Sequence, residues 1–137
     1  MARNPLPVED EEHGDPLVVG AEARWLRLPS RRQVELPRQR AMRLILLALV
    51  RERLTRPGHA LWWDGLLAHG WPDERVMRDA GHVRVRVALS KLRALGLREV
   101  ISSRDDGYLL RTDIPVVLDG AAHPPGAARD EPSGVRY

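Results

Sequence analysis

The chain of 137 residues has no cysteine and no phenylalanine, and Lys91 is its sole lysine. Without cysteine there are no disulfides and no thiolate metal sites, and the redox compartment leaves no trace in the composition. The five histidines (His13, His59, His69, His82 and His123) are scattered, with no two at a helical metal spacing, so no metal and no cofactor are expected. No Gly-rich phosphate loop and no organised nucleophile motif is present, and the carboxylates gather near the N-terminus rather than in paired apolar settings. These absences argue against an enzyme. Apolar runs are short: Leu44 to Val50 reads as a buried helix segment, far below the roughly 20 residues that span a bilayer, so no membrane association is expected.

Charge is present, and it is unevenly placed. The formal net charge of +3 combines an acidic start with a basic middle. Residues 1–16 carry one arginine against five acids, residues 17–118 carry nineteen basic residues against eleven acids, and residues 119–137 carry two against three. The basic surplus therefore lies on the part expected to fold, where it attracts a polyanion. Arginine suits bidentate contacts to phosphate and guanine. Acids stand where a signal peptide needs a positive start and an apolar stretch, which points to a cytoplasmic protein. Residues 1–16, with Pro5, Pro7 and Pro16, read as a disordered acidic arm, 17–118 as one domain, and 119–137 as a flexible Pro/Gly/Ala-rich tail.

Within the domain, Leu17–Val19, Ala23–Leu28 and Gln33–Leu36 look like short strands, with Trp25/Arg27 and Arg24/Leu26/Leu28 on opposite faces. Pro37 to Arg53 reads as a helix with an apolar stripe of Ala41, Leu44, Ile45, Ala48 and Leu49, stopped at Pro57-Gly58. A second helix is expected over about Leu61 to His69, then a charged loop from Pro72 to Arg78, with Asp79 as N-cap of a long basic helix. In that helix Val85, Leu89 and Leu92 recur at i, i+4 and i+7, one buried face, while Arg84, Arg86, Lys91 and Arg93 spread over the rest. Val100–Ser103 and Tyr108–Arg111 read as a hairpin around Arg104-Asp105-Asp106-Gly107, where Gly107 would supply a positive φ. The expected fold class is α+β: a winged helix-turn-helix with a short N-terminal antiparallel sheet, three helices and a C-terminal β-hairpin wing.

Three pieces in this order resemble the DNA-binding domain of OmpR/PhoB-type response regulators. They are Leu66-Leu67-Ala68-His69-Gly70-Trp71, the helix Val85 to Arg93, and Arg104-Asp105-Asp106-Gly107-Tyr108-Leu109. The chain departs from that family in having Leu36-Pro37-Arg38-Gln39-Arg40 where Leu-Thr-x-x-Glu usually opens the first helix. Arg86 replaces an acid, and no receiver domain accompanies the resemblance. The resemblance implies a transcriptional regulator binding double-stranded DNA, with the long helix in the major groove. Arg84, Val87, Lys91 and Arg93 match positions that face DNA, Val87 towards a thymine methyl, and Arg86 and Ser90 share that outward side. Arg104 matches the wing residue that enters the minor groove. The loop with Asp73, Glu74 and Arg75, beside an exposed tryptophan at Trp62 or Trp63, matches the region that meets RNA polymerase or another regulatory protein. Copies would bind as a homodimer or in tandem. The alternative is a winged-helix adaptor whose basic surface docks an acidic protein partner.

Overall fold

A computed structural model describes residues 15–121 apart from Pro37, Val76, Met77, Asp106 and the side chain of Arg78. Most of the acidic arm (1–14), most of the C-terminal tail (122–137) and part of the Pro72–Arg78 loop lie outside the described residues. The protein is α+β, with three α-helices and two small sheets among the described residues.

Its centre is α1 (Arg40–Thr55). Every side chain from Ile45 to Val50 is buried, so the middle of the helix is enclosed around its whole circumference rather than along the stripe its spacing suggests, while Arg40, Arg51 and Leu54 nearer its ends are exposed. That middle stretch must be covered on all sides. The cover comes from α2 (Trp63–Gly70), α3 (Arg78–Leu92) and strands of both sheets. α1 starts at Arg40, later than the expected Pro37, and Pro37 itself lies outside the described residues.

The first sheet holds β1 (Leu17–Val19), β2 (Trp25–Arg27) and β3 (Gln33–Glu35), with β7 (Val116–Leu118) added beyond β1. β1–β2 and β2–β3 are antiparallel, but β7 runs parallel to β1 with Leu17 opposite Val116, so the expected antiparallel sheet is mixed. The reason is a non-local pairing that a three-residue run after Pro115 does not advertise. Leu17 N–H donates to the Pro115 carbonyl at 2.9 Å and Asp119 N–H to the Val19 carbonyl at 2.7 Å. Arg53 of α1 fixes the approach to β7 by donating to the carbonyls of Arg111, Thr112 and Ile114 at 3.1–3.2 Å.

Period-two alternation fails in β2, where Trp25 and Leu26 are both buried. Leu26 belongs to the main core, while Trp25 lies across the sheet under the end of the described chain, its Nε1 donating to the Ala121 carbonyl at 3.0 Å. Its indole fills the space that a Cβ on Gly20 would need. The expected start at Ala23 is instead a 3-10 turn over Ala21–Ala23.

The second sheet has the order β4 (Leu61–Trp62), β6 (Gly107–Leu110), β5 (Ile101–Arg104). Leu61 and Trp62 were expected to be helical; they pair with Tyr108 and Gly107, partners invisible from local pattern, and α2 begins only at Trp63. α2 joins α3 through Trp63 stacked on His82, ring centroids 4.7 Å apart. Asp79 is not the N-cap of α3 but sits in its first turn, where a carboxylate suits the positive helix end. After Leu92 the helix relaxes into a π-type turn, Arg93–Leu97. Gly96 kinks it from within at φ +130°, a conformation other residues rarely adopt, with Leu28 and Arg32 packed where a Cβ would project. In the hairpin the positive φ falls on Asp105 (55°) rather than on Gly107. Gly107 is needed for closeness, since its Cβ would lie 3.0 Å from the Cβ of Ala60 and 3.2 Å from the Leu61 carbonyl.

Replacing Gly20 by alanine forces the Trp25 indole off its seat. Overpacking of this kind costs about 1–3 kcal/mol. Urea unfolding should show a lower midpoint at unchanged slope, and an unaltered midpoint would mean the indole is not tightly seated.

Candidate functional site

At 100° per residue, the inner face of α3 carries Val85, Ala88, Leu89 and Leu92, all buried. The opposite crest carries Val83, Val87 and Ser90. Arg86 stands on one flank of that crest, and Arg84 and Lys91 stand on the other. Val83 and Val87 are large apolar side chains left 56% and 46% exposed.

A groove runs along each side of the crest. One, of about 490 Å³, is lined by Arg40 and Met42 at the start of α1, by Trp71, and by Arg84 and Ala88 of α3. The other, of about 630 Å³, lies towards the hairpin and is lined by Arg86, Ser90, Arg93 and Tyr108. Val83, Val87 and Lys91 line both, so the crest is a shared wall with cations on either side.

The residues singled out by sequence do not all face outward freely. Arg86, Ser90 and Lys91 are exposed, and neither Arg86 nor Lys91 forms an ion pair with a described residue. Arg84 is bonded to Glu74 at 2.6 Å and lies over the Trp71 ring at 5.7 Å. Arg93 falls in the turn beyond α3, half-buried, donating to the Ile101 carbonyl at 3.2 Å and lying 5.9 Å from the Tyr108 ring centre. It fastens the helix end to the hairpin. Arg104, at the end of β5, donates to the Gly58 carbonyl at 3.1 Å.

Asp73, Glu74 and Arg75 are exposed, but two of them are engaged within the molecule. Glu74 holds Arg84, and Asp73 lies 3.5 Å from Arg40, so the α2–α3 connection is tied to both walls of the smaller groove. Trp62 is 59% exposed and Trp63 buried, in keeping with adjacent tryptophans that cannot both turn inward. Trp62 stands on β4 opposite Gly107, and so belongs to the hairpin sheet rather than to the stretch that holds Asp73, Glu74 and Arg75.

Sequence reading missed Arg40, Met42 and Trp71 as parts of the groove wall. No local signal marks them, because α1, the end of α2 and α3 meet only in three dimensions. Among the described residues there is no group of three His, Asp or Glu side chains placed to hold a metal ion. Pairing does shift one carboxyl: the hydrogen bond from Arg31 holds Asp15 below the usual carboxylate range. Chemically, the arrangement is a narrow ridge with small side chains at its top and guanidinium or ammonium groups along its sides, suited to entering a concave anionic surface. Comparison with protein-family models, curated proteins and solved structures gives no match.

Arg93→Ala should lower the thermal midpoint, because a hydrogen bond from a charged donor, worth about 1.5–3 kcal/mol when well formed, is lost at the helix–hairpin junction. Arg86→Ala should leave the midpoint within error, since surface positions usually change stability by under about 0.5 kcal/mol. Equal shifts for the two variants would contradict this division of roles.

Proposed function

We propose that the protein binds double-stranded DNA and regulates transcription as a winged helix, with α3 in the major groove and the β5–β6 hairpin over the adjacent minor groove. The observation that carries this reading is the α3 ridge between two cation-lined grooves. An α-helix fits the major groove, which is about 12 Å wide, and the phosphate strands bounding it would then lie in the flanking depressions. Arg40, Arg84 and Lys91 serve one strand and Arg86 the other. The order α1–β4–α2–α3–β5–β6, with β4 paired to the hairpin, supports the winged-helix assignment.

In this reading affinity comes from phosphate contacts and specificity from the crest. Neutralising about five phosphates gives a slope near −4.5 for log K against log salt. An anisotropy titration with random duplex checks that slope, and binding indifferent to salt would reject the mechanism. Selection from a random duplex library then yields the operator.

Glu74 occupies Arg84 and adds a negative charge beside the ridge. Glu74→Ala should therefore tighten duplex binding at low salt, by about twofold to fivefold for an exposed pair worth up to roughly 1 kcal/mol. The gain should vanish at high salt. Weaker binding by this variant would show that Glu74 orients Arg84 rather than restraining it.

Contact with RNA polymerase or a regulatory protein is assigned to Trp62 and Arg75, the candidates not engaged in the ion pairs of the α2–α3 connection. The rival reading, an adaptor docking an acidic protein, draws on the same exposed Val83 and Val87. Absence of duplex binding at low salt would favour it.

A further inference from the structure

The top of the ridge has an unusual character for a surface that meets a polyanion. Its cations stand on the flanks, while two valines occupy the crest, each about half exposed and unmatched by any described neighbour above them. An exposed valine pair on a helix otherwise bristling with charge calls for a partner with apolar points embedded in an anionic frame. Among the groups that base pairs present in the major groove, the 5-methyl of thymine is the apolar one. Arg84, which the resemblance turns towards DNA, stands on a flank and is engaged by Glu74 and Trp71, and Arg93 is held by the hairpin. The crest is left to the valines.

We propose, resting on the DNA-binding reading above, that Val83 and Val87 form a two-point reader of thymine methyl groups and are the main determinants of operator sequence. The spacing is suitable. Residues four apart on a helix are about 6 Å apart along its axis. Base pairs rise about 3.4 Å each, so the two valines address methyls separated by one or two steps. Ser90 continues the crest and supplies the next contact with a hydroxyl, which accepts or donates. Arg86 and Lys91 hold the phosphates or flanking guanines on either side.

The test uses the full chain and the duplex selected from a random library. Each thymine is replaced in turn by uracil, which removes the methyl and leaves the pairing edge unchanged. Replacement at two thymines within one or two steps should each weaken binding about fourfold, the equivalent of about 0.8 kcal/mol for one buried carbon. Val83→Ala and Val87→Ala should each abolish the uracil penalty at one of those thymines and leave the other. Both positions are exposed on a helix and alanine favours helix, so folding is retained. A selected site lacking such thymines, or uracil tolerated throughout while the duplex still binds, overturns the inference and leaves the DNA-binding reading standing. A uracil penalty that survives in both valine variants also overturns it, because the methyls are then read elsewhere. Failure to bind any duplex, with capture of an acidic protein by the same valines, overturns both.

Discussion

α3 can hold its outer face clear of the molecule because Val85, Ala88, Leu89 and Leu92 on its inner face are buried against a core already dominated by α1. Burial of a valine or leucine contributes about 1.5–3 kcal/mol, enough for three such side chains to fix the rotation of the helix about its axis. Rotation is what matters. A turn of 100° would bring Arg86 towards the core and carry Ala88 and Leu92 away from it. The crest, the flanking cations and both grooves are therefore consequences of one packed seam, and the Trp63–His82 stack holds the seam at its N-terminal side.

Arginine plays two parts in this protein, and composition does not separate them. Arg53, Arg32, Arg43, Arg93 and Arg111 donate to backbone carbonyls of distant segments, working as staples where loops leave acceptors open. The planar fork of five donors suits this use as well as it suits phosphate. Charge counted along the chain overstates the positive surface on offer, because several guanidiniums are bound to the protein itself. What remains around α3 is a smaller set, and its placement rather than its number supports the proposed nucleic-acid surface.

The inward stripe of α3, the hairpin after it, the stop of α1 before Pro57-Gly58 and the exposure of one of the adjacent tryptophans were legible because each follows from spacing within a few residues. Failures came where a distant partner decides. Leu61 and Trp62 take strand geometry because β6 is beside them, and Val116–Leu118 become a strand because β1 offers an open edge. Trp25 and Leu26 break alternation because both faces of β2 are covered. The candidate site was legible at its crest, in Val87 and Ser90, and on its flanks, in Arg86 and Lys91. It was not legible in which arginines are already spoken for, since the carbonyl of Ile101 and the carboxylate of Glu74 reach Arg93 and Arg84 only through the fold.

The pairing of β1 with β7 also sets an order of events. Trp25 finds the carbonyl that satisfies its indole 96 positions later, at Ala121. Contacts of such long sequence separation slow folding, because the loop between them must close before they are rewarded. During synthesis, β1 to β3 leave the ribosome early yet lack their fourth strand until the last residues of the domain emerge. The first sheet is thus completed last, while α1, α2 and α3, built from nearer neighbours, can already have packed.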